Sequence, residues 1–495
     1  MPLVARGRFS QNPRWKRALA VCALGIVSSI PAWGQDFFTL YNFNQPAGDP
    51  AAAMTPVQGR DGNFYGTTFD GGSRGEGTVF RLTPSGSVTI LYNFCSEPNC
   101  ADGQGPGQSL RLGVDGNLYG TVQWGGNPAC NYESDGCGTV FKITPEGVLT
   151  TLHEFDNFDG ATPNGPLLLG LDGNIYGTTC SAGPNGFGGT IFKMTPSGDL
   201  TTLHGFGEPG DGWCPVGALA QAADGSIYGT TLLGGGTDSG TVFRITPSGS
   251  STVLHSFCSQ ADTDACADGW EPQGGVVQAS DGSFYGTTEY GGADKAGTIF
   301  RITPEGRLTT VYSFTGSNPD FPHGAWPYST LIQATDGSLY GTTLWGGTSA
   351  NCAQGCGTIF ALAPEGSLNT EHSFDYEDGA GAESGLLQST NGNFYGAAFL
   401  GGVNGWGTAY ELSNSLGPFV ALVSYMGRVG ETGGILGQEF TTAYKVEVNG
   451  IQAKFTVVSD TYIEATIPEG ATSGYVTVTT NGGTFTSNKP FQVIR

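Results

Sequence analysis

The sequence predicts an all-β protein: a seven-bladed β-propeller closed by an N-terminal strand, followed by an immunoglobulin-like β-sandwich. Three observations predict it. Gly accounts for 83 of the 495 residues, against a usual ~7%, a density that destabilises helix interiors. A motif that begins as Asp61-Gly-Asn-Phe-Tyr-Gly-Thr-Thr68 recurs at Asp115, Asp172, Asp224, Asp281, Asp336 and Asn391, at spacings of 52 to 57 residues. The pieces between these motifs are short, β-branched and aromatic, and turn residues bound them, which is the signature of strands.

Residues 1–34 read as an export signal. Arg6, Arg8, Arg14, Lys16 and Arg17 precede the short apolar stretch Ala18 to Ile30, and Ala32-Trp33-Gly34 offers small residues before a cut at Gln35. The apolar stretch is too short to span a bilayer, and no later stretch is apolar enough to do so. Removing the segment leaves 15 cations against 43 acids, a net charge of −28. Such a chain has no basic footprint for nucleic acid. Cys22 leaves with the signal, and ten cysteines remain. In an exported chain an even count points to disulfides.

Residues 35–413 carry the repeat. A weak apolar run comes first, as in Ser109 to Val114, Gly217 to Gln221 and Gly274 to Gln278. The Asp-Gly pair suits a tight hairpin turn, because Gly accepts positive φ. The Tyr-Gly-Thr-Thr strand follows, and then a strand of the type Gly77-Thr-Val-Phe-Arg-Leu82. Thr-Pro-[Ser/Glu]-Gly turns the chain again, and a fourth strand of the type Thr89-Ile-Leu-Tyr-Asn-Phe94 ends the unit. Four strands in about 54 residues is the size of a propeller blade. The chain opens with an extra fourth-type strand, Phe38-Thr-Leu-Tyr-Asn-Phe43, and its last unit stops after the third strand at Leu412. The offset is what a ring needs if the first strand completes the last blade.

Tyr65-Gly66-Thr67-Thr68, Gly71-Gly72 and Gly77-Thr78-Val79-Phe80 resemble the tandem repeat of secreted bacterial GloVer repeat proteins. The resemblance covers all seven units. It implies export and surface display and implies no particular activity. Anchored members end in an apolar sorting helix, and this sequence ends without one. Asn414 to Gly417 reads as a linker, and residues 414–495 form the last predicted domain. Strands are predicted at Lys445 to Val448, Ala453 to Val458, Tyr462 to Ile467 and Tyr475 to Thr479. Gly437-Gln-Glu-Phe440, Val448-Asn-Gly450, Ser459-Asp-Thr461, Ile467-Pro468 and Ser473 to Val478 resemble an IPT/TIG domain. That resemblance implies a spacer or adhesive module.

Antiparallel order puts the two tight turns of each unit on one face and the two variable loops on the other. Binding usually resides in variable loops on a rigid scaffold. Six tryptophans lie beyond the signal, and all fall in these loops: Trp124, Trp345 and Trp406 after the second strand, Trp213, Trp270 and Trp326 between units. Tyr290 takes the place of Trp124 and Trp345 in its own unit. Rings exposed on a rim suit stacking on sugar faces or peptide side chains, and the alternative is that they plug gaps between adjoining loops. The ten cysteines lie in the same loops or at their margins. Cys95 shares a loop with Cys100, Cys258 with Cys266, Cys130 with Cys137, and Cys352 with Cys356, which leaves Cys180 for Cys214.

No catalytic residue, metal site or cofactor is predicted. His153, His204, His255 and His372 occupy a strand position that Tyr41, Tyr92 and Tyr312 fill elsewhere, which marks them as structural, and His323 is a lone loop histidine. Asp262, Asp264 and Asp268 are dense enough to attract Ca²⁺ but lack the spacing of a calcium loop. The predicted function is a secreted or cell-surface binding or adhesion protein, extracellular or periplasmic, that recognises a glycan or another surface ligand through the variable loops. The alternatives are a carbohydrate-active hydrolase or lyase using Asp156, Asp159, Asp375, Glu377 or Asp378, and a structural surface-layer or matrix component.

Overall fold

Short β-branched runs separated by Gly-rich turns have only strand pairing available for their backbone groups, and strands are what form. The computed structural model describes residues 35–494 apart from 45–49, 108, 131–135, 260–265 and 317–320. The export signal read over 1–34 lies outside the described residues. Two single-turn 3₁₀ segments are the only helical structure among the described residues. No described helix is long and apolar enough to cross a membrane.

Among the described residues, each of the seven units builds one antiparallel sheet of four or five strands. In the first unit the strands are Val57–Gln58, Phe64–Gly71, Thr78–Leu82 and Val88–Asn93. The seventh unit contributes Leu387–Gln388, Phe394–Ala398 and Thr408–Ser413, and Asp36–Asn42 pairs with the last of these from Asp36↔Ser413 to Asn42↔Thr408. The Asp-Gly pairs stand in tight hairpin turns, but the loop has three residues and not the two of a primed turn: the Gly59 amide bonds to the Asn63 carbonyl at 2.8 Å around Arg60-Asp61-Gly62, and only the Gly takes positive φ. Gly62 has φ of +78°, Asp61 accepts the Asn63 amide at 3.1 Å, and the Tyr65 hydroxyl donates to the same carboxylate at 2.9 Å.

The first strand of each unit is shorter than its apolar run. Pairing reaches only Arg111–Leu112, Ala220–Gln221 and Val277–Gln278. Backbones of adjacent units crowd together at this end and bond to each other. Val276 donates its amide to the Ala218 carbonyl, and the Gly275 amide donates to Thr330 Oγ1 at 3.0 Å. A Cβ on Gly217 would meet the Gly275 backbone, so glycine is required there.

Packing between units follows one rule. A third-strand aromatic lies over the Gly of Tyr-Gly-Thr, where a Cβ on Gly66 would come within 2.6 Å of Phe80. The fully buried Phe that ends each fourth strand meets the third-strand aromatic of the next unit edge on. Phe94 lies 5.3 Å from Phe141, Phe155 5.3 Å from Phe192, Phe257 5.2 Å from Phe300, and Phe374 5.3 Å from Tyr410. Phe43, beyond the first strand, lies 5.7 Å from Phe80 of the first unit. A glutamine clip repeats the same relation. Gln333 accepts the Ser280 amide, Gln388 the Thr335 amide, and Gln58 of the first unit the Thr390 amide of the seventh at 3.1 Å.

Residues 420–494 form two further four-stranded sheets over a shared core that includes Ile435, Ile463, Val446 and Val478. They rest on the tight-turn face. Thr461 donates to the Arg60 carbonyl at 2.8 Å, the Arg60 guanidinium lies 4.5 Å from the Tyr462 ring centroid, and Leu436 and Tyr462 pack with Tyr65 and Leu118.

One repeated contact is broken in an instructive place. Buried hydroxyls bridge the second and third strands at Thr68–Thr78, Thr231–Thr241 and Thr288–Thr298, each at 2.8 Å. In the second unit the partner is Val122, and the Thr139 hydroxyl is buried without a hydrogen bond. Val122→Thr is therefore expected to stabilise the fold by roughly 1 kcal/mol. Phe43→Ala is expected to cost about 3–5 kcal/mol. Urea denaturation of both variants checks these values.

Candidate functional site

The loops between units are long, and among the described residues five of them are built around one carboxylate each. Asp102 accepts the Tyr92 hydroxyl at 2.8 Å and the amides of Ser96 and Glu97. Four other units replace the tyrosine with histidine. His153 meets Asp159 at 2.7 Å, His204 meets Asp211 at 2.8 Å, His255 meets Asp268 at 2.9 Å and His372 meets Asp378 at 2.8 Å. Burial pushes the Asp378 carboxyl up, but hydrogen bonds from His372 and the Asp375 amide outweigh it and hold the group below the ordinary range.

These bonds bear on the candidate catalytic acids. Asp159 and Asp378 hold histidines, while Asp156 caps the Phe158 and Asp159 amides and Asp375 those of Glu377 and Asp378. Four of the five carboxylates considered for hydrolysis are loop supports. Of the calcium candidates, Asp268 is engaged by His255 and the Cys258 amide, and Asp262 and Asp264 lie outside the described residues. His323 meets Thr370 Oγ1 at 3.2 Å.

Five disulfides join Cys95 to Cys100, Cys130 to Cys137, Cys180 to Cys214, Cys258 to Cys266 and Cys352 to Cys356. The first, second, fourth and fifth close short loops. The third joins the loop after the second strand of unit three to the loop leading into unit four, 34 residues apart.

The structure separates the seven candidate aromatics into two groups. Trp270 and Tyr290 stack with centroids 4.6 Å apart, Tyr290 lies 5.8 Å from Trp326, and Trp326 lies 6.4 Å from Trp345. These four form a row across the loops of units five and six. The other three stand apart. Trp124 fills the space against Phe69 and Gly105. The Trp213 indole donates to Asp238 at 2.9 Å. Trp406 is the exposed one, at 39%. The rest are half-buried.

Glu271 and Trp326 have left-handed backbones. One loop position carries positive φ in unit after unit, as Gly105, Thr162, Cys214, Glu271, Trp326 and Gly381. Gly is the natural occupant. Trp326 at +58° and Glu271 at +54° accept a conformation that costs roughly 1–3 kcal/mol and that clusters at functional sites. The Trp326 amide is bonded to the Ala296 carbonyl at 2.8 Å, so the backbone is fixed whichever side chain it carries.

Three glutamates accompany the row, and the sequence reading missed them. Glu289 is buried beside Tyr290 and accepts Gln273 at 3.1 Å. Burial, then the Glu289 charge, pushes the carboxyls of Glu271 and Glu383 up. The Tyr328 hydroxyl is pushed up to about 12 by burial and then by the charges of Glu383 and Glu289. The available signal was the break in the repeat: other units place Phe69, Gln123, Cys180, Leu232, Leu344 or Phe399 where Glu289 stands. The arrangement offers ring faces for stacking and carboxyls that can hydrogen-bond with hydroxyl groups.

A carboxyl whose folded value is raised favours folding while protonated and costs stability as pH rises past the ordinary glutamate range. Glu383→Gln is therefore expected to raise the urea midpoint at pH 7 and leave it unchanged near pH 4. Paired denaturation curves at the two pH values check this.

Several solved structures resemble the chain. A protein assigned as a gluconolactonase matches at 10% identity and TM-score 0.39, over 78% of this chain and 94% of its own. The extracellular domain of a Bacteroides thetaiotaomicron protein assigned as a one-component system matches at 11% identity and TM-score 0.48, over 92% of this chain and 52% of its own. A luciferin-regenerating enzyme matches at 12% identity and TM-score 0.38, over 78% of this chain and 98% of its own. No curated protein matches. The Gloeobacter/Verrucomicrobia repeat matches residues 20–132, 129–266 and 261–457, and the chain belongs to that family.

Proposed function

We propose that the protein is an exported surface-binding protein that recognises a glycan through the aromatic row of units five and six. The observation that carries this reading is the row Trp270–Tyr290–Trp326–Trp345 itself, half-exposed, bordered by Glu271 and anchored by a tryptophan in a left-handed backbone. A rigid array of rings loses little entropy on binding. The five disulfides support both an oxidising compartment and a preorganised loop face.

In this reading residues 1–34 are the export signal, 35–413 a seven-bladed propeller, and 414–495 an IPT/TIG-like spacer on the opposite face. The closed ring is supported by Phe43 against Phe80 and by Gln58 on Thr390, which repeat between the seventh and first units the contacts made between the others. Deleting residues 35–44 is expected to lower the melting temperature by more than ten degrees. A change of one or two degrees would exclude closure by this strand.

Glycan-array binding followed by tryptophan fluorescence tests recognition. The expected result is quenching by at least one polysaccharide. Trp270→Ala and Trp326→Gly should weaken binding tenfold or more, since a stacked ring contributes roughly 1–3 kcal/mol in nucleic-acid complexes and a similar scale applies here. Trp326→Gly should leave the melting temperature near that of the parent, because Gly relaxes the left-handed backbone. Trp406→Ala should bind normally. Absence of binding across the array overturns the proposal. Polysaccharide turnover that Glu289→Gln abolishes would make the protein a hydrolase or lyase.

A further inference from the structure

The first strands line a cavity of 1630 Å³, bounded on one side by the repeat units and on the other by residues 421–494, and each contributes the side chain of its first residue. In six units that side chain is apolar: Val57, Leu168, Ala220, Val277, Ile332 and Leu387. In the second unit it is Arg111. A single charge set into an otherwise apolar repeat position breaks the local rule, and such breaks concentrate at functional sites.

Arg428 and Lys489 line the same cavity from the other domain. Lys489 lines it beside Asn488 and Gln492, with its ammonium 5.9 Å from the Tyr425 ring centroid. Lys489 is solvent-exposed. Burial pushes its ammonium down, and so does the positive charge of Arg111. The Arg111 guanidinium is also pushed down by burial.

Neither Arg111 nor Lys489 forms an ion pair among the described residues. Arg111 spends its Nε proton on the Leu167 carbonyl at 2.9 Å, which fixes the guanidinium plane and leaves the outer nitrogens free. The carboxylates that also line the cavity are held elsewhere or out of ion-pair range. Asp115 is bonded by Asn117 and Tyr119, Asp172 by Lys193, and Glu431 by the Arg428 amide. Glu464 and Glu383 pair with neither cation. In a chain with a formal charge of −23, Arg111 and Lys489 thus line one cavity with no carboxylate partner among the described residues.

We propose that Arg111 and Lys489 form a binding site for an oxyanion, the carboxylate or phosphate group of a small solute that enters this cavity. Two like charges in a partly desolvated space repel each other when the site is empty. An oxyanion between them relieves that repulsion and gains charge-assisted hydrogen bonds, with the guanidinium supplying a planar pair of donors. The site shares no residue with the aromatic row and stands or falls independently of it.

Calorimetric titration of the full chain with inorganic phosphate and, separately, with glucuronate tests the proposal, with chloride matching the ionic strength. Saturable binding of at least one anion is expected. Saturation by glucuronate alone specifies a carboxylate solute, and saturation by phosphate alone specifies a phosphate one. Arg111→Leu, which installs the side chain of the third unit, and Lys489→Met should each weaken Kd at least tenfold. Lys489→Met should also raise the melting temperature of the anion-free protein, because it removes one of two repelling charges. Trp406→Ala, outside both sites, should leave anion binding unchanged. No saturation by either anion, or a Kd in Lys489→Met equal to that of the parent, overturns the site.

Discussion

The contact on which the rest of the molecule depends is the edge-to-face meeting of the Phe that ends one unit with the third-strand aromatic of the next. Each such pair lies within the 4.5–7 Å range where aromatic quadrupoles attract, worth about 0.5–1.5 kcal/mol beyond the area buried. It also sets the composition of the repeat. The third-strand ring can reach its partner only by lying flat over the neighbouring strand, and only glycine leaves room beneath it. Gly66, Gly120 and Gly229 are thus required by packing and not by backbone φ. Each unit presents one aromatic edge and accepts another, so no unit buries its own core alone.

This dependence explains why so much of the fold was legible in the sequence. A contact made between successive copies imposes the same residue types on every copy, and the period exposes them. Tyr-Gly-Thr, Asp-Gly and the terminal Phe could be read as strand, turn and interface because each recurs. The innermost strands were read too long for the converse reason. Their apolar runs look like full strands, but the units converge there, and residues such as Gly275 and Val276 hydrogen-bond to the neighbouring unit instead of to their own sheet.

The candidate sites were legible only in part, because they lie where the repeat fails. Tryptophan is rare enough to stand out, so the row was visible as a list of residues. The list could not distinguish Trp270 and Trp326, brought together across two units, from Trp124 and Trp213, which fill gaps between loops. Glu289, Glu383 and Arg111 carry no motif. Their only mark is that they replace apolar or uncharged residues at repeat positions, and a single acidic or basic residue attracts little notice until the fold shows what it faces. The recurrent loop aspartates had the opposite character: conspicuous in the sequence, and engaged in holding Tyr92, His153, His204, His255 and His372.

The left-handed loop position has a broader consequence. Gly105, Thr162, Cys214, Glu271, Trp326 and Gly381 occupy the same backbone conformation, and in each case the amide is bonded to the preceding unit. Conformation and side chain are therefore decoupled at this point. The scaffold holds six equivalent sockets around one rim, and their present occupants include a bare backbone, a hydroxyl, a half-cystine, a carboxylate and an indole. A surface so arranged can change its chemistry one socket at a time without disturbing the frame. Relatives built on the same units could differ sharply in what they hold while remaining almost superimposable in how they fold.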